Sequence, residues 1–165
     1  MTKKTLITVL LVLILGPFVL CAQAHTGLYS LLVDLPGWSG EQPEGMSMDT
    51  SGMKLINAAR EYTKGASEVT AAVIVGNQQM AQAAKQAGSM NIETDKQRIA
   101  VKQVRGYTVQ IVFDKQDRSG AVTIVLDEQK PVLFTLVFEG ISDGEAMSLA
   151  ERYDWNAIKS KGGSL

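Results

Sequence analysis

Between positions 107 and 138 the chain is written for a β-sheet. Tyr107, Val109, Ile111 and Phe113 alternate with Thr108, Gln110, Val112 and Asp114, a period of two that puts one side of a strand in a core and the other against solvent. Residues 115–120, Lys-Gln-Asp-Arg-Ser-Gly, read as a polar turn. Val122, Ile124 and Leu126 then alternate with Ala121, Thr123, Val125 and Asp127, which predicts a second strand returning antiparallel to the first. After the turn Glu128-Gln129-Lys130-Pro131, residues 132–138 are apolar at nearly every position. Continuous apolarity suits a central strand covered on both faces.

The rest of the chain extends this pattern. Segments 55–62 and 69–75 flank Lys64-Gly65 and predict two more strands joined by a tight turn; 97–104 and 28–35 predict two further ones. Asn77 is placed to cap a helix through about residue 87, ended by Gly88, with Met80, Ala83, Ala84 and Ala87 as its inward stripe. Ser142-Asp143-Gly144-Glu145 has the spacing of a capping box. Ala146, Leu149, Ala150 and Tyr153 follow at helical spacing. Residues 159–165, rich in Gly, Ser and Lys, read as a frayed tail. Residues 36–53, with Pro36, Gly37, Gly40, Pro43, Gly45 and Gly52, read as the longest loop, a length that usually signals binding or disorder. The expected fold is α+β, an antiparallel sheet of five to seven strands with two packed helices.

The amino terminus is written for export. Lys3 and Lys4 precede an uncharged run that ends in Ala22-Gln23-Ala24: a positive start, an apolar stretch and a small-x-small cleavage site. Its apolar part, residues 6–20, spans 15 positions, short of the roughly 20 that a spanning helix needs. Cys21 follows Leu20, whereas lipoprotein processing normally requires a small residue before the cysteine. Residues 1–24 are therefore read as a signal peptide, 25–158 as one α+β domain and 159–165 as a tail. The mature protein is expected to be periplasmic or secreted and not membrane-spanning.

Composition then removes whole classes of function. Cys21 is the only cysteine, so cleavage after Ala24 leaves a chain without thiol catalysis, cysteine zinc sites, iron–sulfur clusters or disulfides. The leader holds two of the 16 basic residues and none of the 17 acidic ones, which puts the mature chain at net −3. A weakly acidic chain carries no electrostatic footprint for nucleic acid or anionic lipid.

Leu35-Pro36-Gly37-Trp38 at the end of the first expected strand, the antiparallel meander, the late sheet ending near Phe138-Glu139-Gly140 and the terminal helix closing at Asp154-Trp155 resemble the small PsbP/Mog1-type α+β domains. The Pro-Gly-Trp and Glu-Gly-Met-Ser-Met segments are similar to those of small exported bacterial α+β proteins of uncharacterised function. The PsbP/Mog1 resemblance implies a binding or assembly module, not a reaction, because fold does not carry function.

Several residues carry candidate chemistry. His25, the sole histidine, would be the first mature residue, where a free amine and an imidazole together chelate copper and the thioethers of Met46, Met48 and Met53 are soft ligands for its reduced form. Against this, methionines commonly fill gaps beneath irregular segments. Ser51-Gly52-Met53-Lys54 matches the Ser-x-x-Lys pattern of penicillin-interacting serine enzymes, but no Lys-Thr-Gly follows. Ser39, in Gly37-Trp38-Ser39-Gly40, lacks the spacing of a nucleophile elbow, and one histidine at a chain end cannot supply a Ser-His-Asp triad with its base. Glu41, Glu44 and Asp49 share the 36–53 stretch with Trp38, yet catalytic carboxylates need burial or a close like charge. Trp38 and Trp155 each read as a core rim with the indole N–H turned to a partner, or, for Trp38, as part of an adaptable Met-rich patch.

The expected function is a non-catalytic exported binding or assembly module of the bacterial envelope. Its contact surface is expected at 36–53, through Trp38, Met46, Met48 and Met53, toward an envelope protein or an apolar ligand and not nucleic acid. A copper-handling protein using His25, Met46 and Met48 is the alternative, and a small hydrolase comes third.

Overall fold

The computed structural model describes residues 24–50, 53–79, 82 and 91–165. The signal peptide expected at 1–24 lies outside these residues except for Ala24. So does most of the helix expected after Asn77, of which Gln78, Gln79 and Gln82 are seen as helical.

Alternating segments pair with their neighbours wherever a polar turn is short. The strands are β1 (Ser39–Gly40), β2 (Glu44–Thr50), β3 (Met53–Lys64), β4 (Ser67–Val75), β5 (Ile92–Glu93), β6 (Gln97–Val104), β7 (Tyr107–Asp114), β8 (Ser119–Asp127) and β9 (Val132–Glu139). They form one nine-stranded sheet in the order β1-β3-β4-β9-β8-β7-β6-β5, with β2 also on β3. Every pairing is antiparallel. The α+β class stands, but the sheet exceeds the five to seven strands expected, because β1, β2 and β5 join it at its two ends.

β9 sits at the centre, as its unbroken apolarity requires. Val132, Phe134, Leu136 and Phe138 are buried on one face of the sheet; Leu133 is fully buried on the other. A bulge between Val125 and Asp127 lets β8 bury both Val125 and Leu126.

One face of the sheet carries the helices. A 3-10 helix (His25–Leu31) leads in, and α1 (Asp143–Ala150) and α2 (Trp155–Gly163) close the chain. Ser142 Oγ accepts from the Glu145 amide at 3.2 Å, as the capping-box spacing predicts. Asp154 caps α2 by accepting from the Ala157 amide at 2.9 Å. Ala146, Met147, Leu149, Ala150, Trp155 and Ile158 are buried against Val109, Ile124, Phe134 and their neighbours. Each fully buried large aliphatic or aromatic side chain is worth about 1.5–3 kcal/mol, so this layer supplies most of the cohesion.

Three expectations change. Residues 28–35 are not a strand: the 3-10 helix runs through Leu31 and residues 32–35 are irregular, with Leu28, Leu32 and Leu35 turned into the core. The stretch 36–53 is not one long loop, since β1 and β2 occupy half of it. The terminal helix ends at Ala150 and a second begins, so 159–163 belong to α2 and not to a frayed tail. Gly162 explains why glycine stands there: a Cβ would lie 2.8 Å from Val132 Cγ1 and 3.2 Å from Val75 Cγ2.

Candidate interaction surface

Arg60 fixes how the chain reaches the sheet edge. From the helix-bearing side it donates through Nη1 to Leu32 O at 2.8 Å and through Nε to Glu41 O at 2.7 Å, and Nη2 meets Asp34 Oδ1 at 2.6 Å. Its guanidinium also lies 5.2 Å from the Tyr62 ring centroid, and the Tyr62 hydroxyl donates to Val33 O at 2.7 Å. Residues 32–41 are thereby held on β3, and the chain continues directly into β2.

β2 is an edge strand, paired on one side only among the described residues. Its register sets Gly45 opposite Ala58, Met46 opposite Asn57, Ser47 opposite Ile56 and Met48 opposite Leu55. Cross-strand partners share a face, so Gly45 and Ser47 join the helix-bearing face with the buried Ala58 and Ile56. Met46 and Met48 take the other. His25 covers Gly45, where a Cβ would lie 3.1 Å from both His25 Cβ and Cδ2. The His25 amide donates to Ser47 Oγ at 3.2 Å, and Nδ1 lies 3.0 Å from the same oxygen.

The face carrying Met46 and Met48 has no helix of the three on it. Thr70, Val137, Ala121 and Val112 stand opposite one another across β4, β9, β8 and β7, and the row continues through Ile99 to Ile92. Two parallel rows, Ala72-Thr135-Thr123-Gln110 and Ile74-Leu133-Val125-Thr108, are equally free of charge. Met46 (47% exposed), Met48 (40%), Val137 (51%) and Ile92 (38%) all lie on this face. Of the described large hydrophobic residues that are exposed, Val33 alone lies elsewhere. Charge enters this face through Glu61, opposite Thr70, and Glu44, opposite Ala59, and at its margin where Glu68 opposes Glu139 and Asp114 opposes Ser119.

The two ends of the sheet are finished differently. At the β5–β6 end, Arg98 pairs with Asp143 at 2.9 Å and with Glu93 at 3.4 Å, and Lys115 pairs with Glu93. That pairing holds the Glu93 carboxyl below the usual carboxylate range. Asn91 Oδ1 accepts from the Val101 amide at 3.2 Å, and Lys102 adds an exposed charge. Short strands, charges and side-chain caps are the devices that blunt an edge. β2 has seven residues, no lysine, and acids only toward its ends.

The residues singled out from sequence fall into separate places. Trp38 is half-buried, packs on the core and has the Lys64 ammonium 5.7 Å from its ring centroid. Met53 begins β3 opposite Thr50. His25 and the pair Met46 and Met48 lie on opposite faces of β2, so the sheet stands between the imidazole and these thioethers. Glu41, Glu44 and Asp49 are each exposed. Lys54 of the Ser-x-x-Lys match donates to Leu165 O; Ser51 lies outside the described residues. Trp155 is buried, and its indole donates to Ala150 O at 2.9 Å.

Two tyrosine hydroxyls are shifted by burial, and both are structural. The Tyr153 hydroxyl donates to that of Tyr62 at 3.1 Å inside the core. Burial pushes both above their ordinary value of 10.0.

Ser47, Arg60, Val137 and Ile92 were not singled out from sequence. Val137 sits in an apolar run, where only the pairing register tells which side faces out. No family model, curated protein or solved structure matches the chain.

Proposed function

We propose that this protein is a non-catalytic, exported binding or assembly module of the bacterial envelope that receives an extended polypeptide segment along β2. One observation carries the reading: a seven-residue edge strand with no strand on its outer side among the described residues, whose Met46 and Met48 continue a largely apolar sheet face. Main-chain pairing supplies affinity in strand addition, and alternate side chains supply specificity. A segment added to β2 sets every second side chain beside Met46 and Met48, whose unbranched thioethers adapt to irregular apolar shapes.

Export rests on the leader-like residues 1–24. Arg60 supports the module reading, since it holds the approach to β2 rigidly before any partner arrives, which lowers the ordering cost of binding.

The test is fluorescence anisotropy with labelled heptapeptides that alternate apolar and polar residues. Binding is expected for peptides with apolar residues at every second position, and Met46→Glu with Met48→Glu should weaken it at least tenfold. Failure of all such peptides to bind, or binding indifferent to both substitutions, refutes the proposal.

A further inference from the structure

Resting on that reading, we infer that the segment received by β2 is the β2 of a second copy of this chain, paired antiparallel about a twofold axis at Ser47. A twofold axis perpendicular to the sheet keeps each face on its own side, so only registers that pair residues of the same face are allowed. Centred on Ser47, all seven residues of Glu44–Thr50 find partners: Met46 meets Met48, Glu44 meets Thr50, and Gly45 meets Asp49. No like charges oppose, and directly opposed like charges destabilise a pair. Centring one position earlier, at Met46, sets Asp49 against Pro43, which has no amide to give.

The consequences on the two faces agree. On the face of Met46 and Met48, four methionines meet at the seam between the two sheets. On the helix-bearing face, each His25 stays over its own Gly45 and Ser47, flanking the seam. The opposite edge of the sheet cannot make this contact, because Glu93, Arg98, Lys102 and the Asn91 cap occupy it. One strand pair with four methionines is a small interface, of the size class that associates weakly, so the dimer forms with rising concentration.

Single cysteines read the register directly. In chains that start at His25, which lack the leader and with it the one native thiol, Cys21, variants carrying Ser47→Cys, Met46→Cys, Met48→Cys or Glu44→Cys are exposed to oxidised glutathione and resolved without reductant. The two Ser47 positions face each other with Cβ atoms about 4.5–5.5 Å apart, whereas the two Glu44 positions lie about 20 Å apart at the rise of a strand. Ser47→Cys should crosslink several-fold more than Glu44→Cys. An equimolar mixture of Met46→Cys and Met48→Cys chains should give more mixed dimer than either gives alone, and this arm leaves the Ser47 bond to His25 intact. Sedimentation of the unmodified chain should show its mass rising toward two chains between about 1 μM and about 1 mM, the range of weak affinities.

Equal crosslinking at all four positions, or a mass that stays at one chain throughout, overturns the inference. If the chain stays single while labelled heptapeptides still bind β2, the second copy alone is excluded as partner. If neither occurs, the strand-addition reading falls with it.

Discussion

His25 and Ser47 are joined twice, by the backbone amide and by the imidazole, both to one hydroxyl oxygen at 3.2 and 3.0 Å. Through this oxygen the start of the 3-10 helix is tied to the middle of β2. Ser47→Ala removes both contacts, and a neutral hydrogen bond nets about 0.5–1.5 kcal/mol. Urea unfolding should show a loss of about 1 kcal/mol, with faster amide exchange across 25–31. Unchanged exchange there would show that the helix is held by Leu28 alone.

Arg60 carries more. Its side chain is only 14% exposed, and its two main-chain acceptors lose a charged donor together in Arg60→Met. Hydrogen bonds to charged groups are worth about 1.5–3 kcal/mol each, so a loss of about 2–4 kcal/mol is expected by chemical denaturation. Asp34 is 90% exposed, and Asp34→Asn should cost under about 1 kcal/mol, as for exposed ion pairs. Equal losses from both substitutions would contradict the role assigned to the backbone contacts.

The Tyr62–Tyr153 pair makes stability fall at alkaline pH. Burial raises both hydroxyls above 10.0 in the folded chain, so the native state holds protons that the unfolded state releases. The stabilisation is complete below about pH 10 and is lost as pH climbs above it. Tyr153→Phe should lower stability at neutral pH by about 1 kcal/mol through the lost hydrogen bond, and should flatten the alkaline decline. Parallel alkaline curves for the two proteins would show that the decline arises elsewhere.

Thr135 is buried in the central strand, and its Oγ1 has no hydrogen-bond partner among the described residues. An unsatisfied buried hydroxyl costs about 1–3 kcal/mol. Thr135→Val keeps the shape and removes the cost, so thermal unfolding should move upward by the equivalent of about 1 kcal/mol. A lower midpoint would mean that the hydroxyl is satisfied in solution.

Much of the fold was legible because its signals are local. β7, β8 and β9 follow from alternation and continuous apolarity at 107–138, and the Ser142 cap follows from a four-residue spacing that needs no partner. Met46 and Met48 are exposed, but the conformation of their stretch was misread: glycines, prolines and acids around 36–53 weigh against a strand.

By itself, the sequence determined the antiparallel meander, the central position of β9 and the α1 cap, because each depends on residues within a few positions of one another. Tertiary structure alone decided that β2 is a strand, that α2 runs through Gly162, and that His25 and the two methionines part to opposite faces. β2 takes its form from the free edge of β3, a glycine survives in α2 because Val75 and Val132 leave no room for a Cβ, and a residue's face is set by a register that only its pairing partner defines.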